Sequence, residues 1–304
     1  MRIPALERTN MLTPTPKERL TAHPAVVLLL CIPVLLVTQG GRSLLTDAAL
    51  LLLPHRPDAT EYLIISLFAT LATVAVVLLY CLLAERRSLC SLGFTKRGAV
   101  VEYAVGILGG LTLFGLPVLL CMATGTLTLT LADPAPSLLP LLLCFAGFII
   151  QGASEELLCR SYLMVSLSRG LPPWACAVIN ALLFSLLHLG NPGVSVIPLV
   201  NIFLFGILAS LLTLRRGSVW MACAIHSLWN FSQGNLFGIP VSGLSGLPSP
   251  LTAEVTEGKW QTLVNGGAFG LEGGLAVTLV MVAACGVTLL MPTKRSEISQ
   301  SGER

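Results

Sequence analysis

Eight apolar runs dominate the chain and decide what it can fold into. They lie at residues 24–40, 60–83, 99–123, 137–158, 172–190, 194–214, 217–237 and 271–291. A helix of about 20 apolar residues spans a bilayer, and backbone groups in hydrocarbon must bond within their own helix. The expected fold is therefore all-α: a polytopic transmembrane helical bundle of about eight spans. Only 11% of the 304 residues are charged, against roughly 25% in soluble domains. That is too little to coat a water-soluble globule of this size, and mean hydropathy is +0.84.

Breaks between runs carry Pro and Gly: Arg56-Pro57-Asp58, Asp133-Pro134-Ala135-Pro136, Gly170-Leu171-Pro172-Pro173 and Gly190-Asn191-Pro192-Gly193. The fourth helix is expected to continue to about Ser168, and residues 238–265 form the longest extramembrane loop. No A-x-A site follows the first run, which reads as a retained span. Of eighteen Lys and Arg, fourteen fall at one end of the spans: Arg2, Arg8, Lys17, Arg19, Arg86, Arg87, Lys96, Arg97, Arg169, Arg215, Arg216, Lys294, Arg295 and Arg304. Three fall at the other, Arg42, Arg56 and Lys259, and Arg160 lies inside the fourth helix. The positive-inside rule then puts both termini in the cytosol, with an even number of spans. The expected layout is a cytosolic tail at 1–23, one transmembrane domain at 24–291 and a cytosolic tail at 292–304.

Some functions are excluded early. No basic patch with interleaved aromatics exists, so nucleic acid is not a partner; the partners are the lipid bilayer and a membrane protein or peptide. The nine cysteines include no C-x-x-C pair and read as small apolar contact residues. No H-E-x-x-H occurs. The only aspartates, Asp47, Asp58 and Asp133, are placed in loops, against a paired-aspartate mechanism. Gly243-Leu-Ser245-Gly246 sits in the long loop with no later His. Asn230-Phe-Ser232 matches a glycosylation sequon inside a span. Gly106-x-x-x-Gly110 and Gly266-x-x-x-Gly270-x-x-x-Gly274 are expected to let helices approach closely.

What remains is a set of polar residues inside spans, where a charge costs about 2.5–3.5 kcal/mol on insertion scales. The first cluster runs Gln151-Gly-Ala-Ser154-Glu155-Glu156-Leu-Leu-Cys-Arg160. Adjacent glutamates on a helix point about 100° apart and cannot share one task. Glu156 and Arg160, at i,i+4, can pair and leave Glu155 free. The second cluster is Phe184-x-x-x-His188 and the third His226-x-x-x-Asn230, each sharing a helix face. Glu155 lies about 16 residues before the 170–172 turn and His188 about 17 after it, which makes them level at about 24 Å from it. His226 is expected to be shallower. A carboxylate with an imidazole can activate water, and a second imidazole with a carboxamide can donate to an oxyanion. Glu155, His188 and His226 could equally ligate a catalytic zinc.

Glu155-Glu156-x-x-x-Arg160, Phe184-x-x-x-His188 and His226-x-x-x-Asn230, in order on successive intramembrane helices, resemble the three motifs of the CPBP family. That family groups type II CAAX prenyl endopeptidases with bacterial bacteriocin-processing and immunity relatives. The motif region spans 137–237. The later stretches Asn230-Phe-Ser-Gln233-Gly234-Asn-Leu-Phe237-Gly238 and Gly270-Leu-Glu272-Gly273-Gly274 resemble bacterial members, which implies a bacterial cytoplasmic membrane. The resemblance implies an intramembrane endopeptidase, of glutamic or metallo type, with its site in a cavity open to the cytosol. It implies Glu155 and His188 as the water-activating pair, His226 and Asn230 on the oxyanion side, and Glu156, Arg160 and Phe184 in support. A metal-free mechanism is favoured because Asn230 suits an oxyanion better than zinc. Glu272 has no assigned role. The rival readings are a non-catalytic scaffold or immunity protein of the same fold, and a proton-coupled transporter.

Overall fold

The computed structural model describes residues 23–96 and 98–291. Most of the expected tails, 1–22 and 292–304, lie outside the described residues, as does Arg97. In chain order the elements are α1 (Pro24–Leu52), α2 (Ala59–Ala69) and α3 (Leu71–Leu79), which runs on into a π turn at Tyr80–Ala84. Then come α4 (Ala99–Ala123), β1 (Leu127–Leu131), and α5 (Leu138–Glu156), prolonged by a π-helical segment Leu157–Met164 into α6 (Val165–Leu167). The remainder is α7 (Pro173–Leu186), α8 (Val196–Arg216), α9 (Trp220–Phe231), β2 (Leu251–Val255), α10 (Lys259–Asn265) and α11 (Leu275–Leu290).

Five helical stretches are long and apolar enough to cross a membrane: Pro24–Leu52, Ala59–Ala84, Ala99–Ala123, Leu138–Leu167 and Val196–Arg216. The protein is an integral membrane protein, mostly helical. α7 and α11 are apolar but shorter. α9 has 12 residues, and every one from Met221 to Asn230 is buried. It is wrapped by protein instead of lipid, so neither length nor uniform hydropathy is imposed on it.

The structure departs from expectation in four places. α1 does not stop near residue 40; Thr38-Gln39-Gly40-Gly41-Arg42 lowers the hydropathy, yet the helix continues against α3, where a Cβ on Gly41 would stand 3.1 Å from that of Ala72. Asp47 is therefore helical, not in a loop. α7 ends at Leu186, so His188 sits in the following turn and not on a helix. The fold is not purely helical: Leu127–Leu131 and Leu251–Val255 pair antiparallel, as the alternation Leu-Thr-Leu-Thr-Leu permits. Finally, Gly266 and Gly270 are not on a helix; at φ +80° and +92° they turn the chain between α10 and α11.

Helix packing explains where the interior polar residues go. Gly106 and Gly110 seat α9 on α4: an added Cβ would meet the Ala224 Cβ at 2.6 Å and the Leu228 Cβ at 2.7 Å. On its other side α9 meets α5, where a Cβ on Gly152 would lie 2.6 Å from Ser227 Oγ. α9 is thus clamped between α4 and α5, with His226 turned toward the fourth-span glutamates.

The bundle has two unlike ends. One holds the turns 84–98, 168–172 and 216–219. There Glu85 pairs with Arg87 at 3.3 Å and with Arg169 at 3.1 Å. Arg87 also donates to the Ser161 carbonyl, and Arg215 donates to the carbonyls of Leu289 and Met291. The other end holds the β1–β2 pair and the segment 238–274. Thr60 Oγ1 donates to the Gly246 carbonyl and Gly243 N to that of Phe269.

Candidate active site

A cavity of about 490 Å³ lies between α1, α2–α3, α5, α7, α8, α9 and α11. Glu155, His188, His226 and Asn230 all line it, with Gln151, Phe184, Trp229 and Glu272. Glu156 and Arg160 do not; both are fully buried behind the wall. They form the ion pair that their spacing suggested, with Arg160 Nη1 2.8 Å from Glu156 Oε1. Arg160 Nη2 donates to the Gly206 carbonyl at 3.1 Å, and the guanidinium lies 4.6 Å from the centre of the Phe184 ring. A buried charge is tolerable only when paired in this way.

Glu156 Oε1 also takes the Nδ1 edge of His226, at 2.9 Å. An ionised carboxylate only accepts, so Nδ1 carries the proton and Nε2 is the atom turned to the cavity. Nε2 stands 3.6 Å from Glu155 Oε2, longer than a direct hydrogen bond. The adjacent glutamates therefore divide their work, as their angular separation requires, but they meet the same imidazole from two sides. His226 is not shallower than the other groups, because α9 is drawn against α5 at Gly152.

His188 is fixed by different means. Its Nδ1 is 2.8 Å from the Phe184 carbonyl, which can only accept, so Nδ1 is again the protonated nitrogen. That leaves the Nε2 lone pair free. Phe184 serves both histidines: its ring centre is 4.9 Å from that of His188 and 5.8 Å from that of His226. Phe205 closes the other side of His226 at 5.1 Å. His226 is thereby buried, while His188 is half-buried.

Two residues join the site that no motif assigned. Gln151 accepts from Asn230 Nδ2 at 3.0 Å and donates to Glu155 Oε1 at 2.6 Å, linking α9 to the carboxylate. It is one helical turn before Glu155, and that spacing was the available signal. This bond leaves Glu155 Oε2 buried and without a hydrogen-bond partner among the described residues. Glu272 takes the indole N–H of Trp229 at 3.0 Å, and Ser242 donates to it through N at 2.8 Å and Oγ at 2.7 Å. It therefore holds the 241–247 loop over the cavity, a tertiary role that its position in the sequence gave no sign of.

No three His, Cys, Asp or Glu side chains among the described residues are gathered closely enough to hold a metal ion. The trio Glu155, His188 and His226 does not form a ligand set in this arrangement. The described cysteines are free thiols, all buried except the half-buried Cys285, with no ligand role visible.

Residues 137–232 match the Rce1-like family of type II CAAX prenyl endopeptidases. The match is consistent with the family that the three motifs resemble. It contains every motif residue, from Glu155 to Asn230, and Gln151 with them. It omits α1 to α3, the 241–247 loop and α11, which together supply the facing wall of the cavity. No curated protein matches the chain.

Proposed function

We propose that this protein is an intramembrane endopeptidase that hydrolyses a peptide bond in a membrane-associated protein or peptide, by a metal-free mechanism. The chain crosses the membrane eight times, with both termini in the cytosol. The observation that carries the reading is Glu155 Oε2: a buried carboxylate oxygen with no hydrogen-bond partner among the described residues, 3.6 Å from His226 Nε2, in a cavity shared with two imidazoles and a carboxamide.

In this reaction Glu155 takes a proton from water while the free Nε2 of His188 orients it. The hydroxide attacks the scissile carbonyl carbon. Asn230 Nδ2–H and His226 Nε2–H donate to the oxygen as it becomes negative, with His226 acting as an imidazolium held between Glu155 and Glu156. The C–N bond then breaks, and the proton held on Glu155 passes to the leaving amine. Gln151 keeps the carboxylate aimed, and Phe184 and Phe205 keep bulk water from the rings, where hydrogen bonds to developing charge are strongest.

Expressing wild type and Glu155→Ala in one host and comparing protein N-termini in the membrane fraction by mass spectrometry tests this. N-termini present only with the wild type support hydrolysis and name the substrates. Identical sets, with both proteins folded and abundant, reject it in favour of a scaffold.

A further inference from the structure

We propose that the cavity is entered from the non-cytosolic side of the membrane, through the gap between α1 and the 187–191 turn, so that its substrate is a segment of a membrane-anchored polypeptide presented at the outer leaflet. The proposed peptidase reading supplies the occupant; the access route itself rests on charge and geometry.

Three observations converge. First, the described basic residues divide by end: Arg86, Arg87, Lys96, Arg169, Arg215 and Arg216 gather at one, Arg42, Arg56 and Lys259 at the other. In sequence, residues 1–22 and 292–304, which precede α1 and follow α11, hold further Lys and Arg. α11 delivers its C-terminus to that end, where Arg215 caps it, and α1 begins there, packed on α6. By the positive-inside rule this is the cytosolic end.

Second, the cavity belongs to the opposite half. Its wall comes from residues 35–42, 63–73, the fourth span between Phe148 and Cys159, the C-terminal part of α7 with its turn, the start of α8, the second half of α9, the 241–247 loop, Glu272 and the first half of α11. None of the segments 80–98, 165–175 or 213–221 contributes. The cytosolic end is instead closed by the buried pairs of Glu85 with Arg87 and Arg169. The expected cytosolic opening and the charge-derived orientation are thus incompatible in this fold.

Third, the entrance is lateral. The 241–247 loop is fastened at Thr60, Phe269 and Glu272, which makes it a fixed roof. α1 packs on α2 and α3 while α7 packs on α8, and between them stand the exposed wall residues Leu36 (69%), Leu187 (45%) and Leu244 (46%) with Gln39. Apolar side chains around a polar interior suit a strand that leaves lipid to reach the carboxylate.

The test uses the full chain with single cysteines at Gln39→Cys and Leu244→Cys, on the rim, and Ser88→Cys, in the basic-end loop. Intact cells are treated with a membrane-impermeant maleimide before or after permeabilisation, and labelling of the parent chain is subtracted. Expected is full labelling of Gln39→Cys and Leu244→Cys in intact cells, and of Ser88→Cys only after permeabilisation. The reverse pattern overturns the proposal. Should one rim variant not accumulate, the other carries the test. The measurement needs no catalysis: a reversed pattern refutes the route, whereas unchanged N-termini refute the peptidase.

Discussion

One oxygen of Glu156 serves both a guanidinium and an imidazole, while the next carboxylate, at Glu155, keeps an oxygen free. Neighbours in sequence should therefore fail differently when changed. Glu156→Leu leaves Arg160 charged and unpaired in the interior, at a cost of about 3–5 kcal/mol. The expected result is a clear fall in Tm in detergent, read by thermal scanning. Glu155→Gln keeps its bond from Gln151, so Tm is expected to be unchanged, while loss of the proposed general base is expected to lower turnover roughly 10²–10⁴-fold. Appearance of the wild-type N-termini measures that. Because no three donors converge among the described residues, exhaustive dialysis against a zinc chelator is expected to leave turnover intact. The motif residues were legible because polar groups stand out in apolar helices, and the 100° between adjacent glutamates separated their tasks. Gln151 was half legible, since its i,i+4 spacing to Glu155 could be read but not its bond from Asn230, and Glu272 was not, since its partners Trp229 and Ser242 lie on other elements.

Close approach of elements is what brings those side chains together, and it rests on particular hydrogens. Gly106→Ala would drive a methyl group into Ala224 and the Met221 carbonyl, which a Cβ would meet at 2.6 and 2.8 Å. Overpacking of this kind costs about 1–3 kcal/mol. Gly115→Ala, on the same helix with nothing within 4 Å, is expected to be neutral or to stabilise by up to about 1 kcal/mol through helix propensity. Comparing Tm for the two separates packing from propensity. Hydropathy located the helices well but misjudged their ends. It cut α1 short at Gly40-Gly41, of which Gly41 packs on α3, and it carried α7 through His188, whose ring instead bonds the carbonyl one turn back. The π-helical stretch after Glu156 left no mark in the sequence at all, although such irregularities recur at functional sites.

At the scale of the whole molecule, the arrangement of charge predicts topology. A fluorescent reporter that matures only in the cytosol is expected to be bright after Arg304. An enzyme reporter active only after export is expected to work when inserted between Thr256 and Glu257; activity on the wrong side in either case reverses the orientation. Lys and Arg supply an expectation for span number and orientation, which these reporters test, whereas the half of the bundle holding the cavity was not legible, because depth depends on how far α5 and α9 overlap. The family match adds a different consequence. It covers one wall of the cavity and stops at Ser232, while α1, the 241–247 loop and α11 make the other. On the proposed reading, hydrolysis and selection would be encoded in separable stretches of gene. Exchanging residues 24–84 between homologues should redirect which polypeptides are cut while preserving the cutting, much as a tool head is refitted to a common handle.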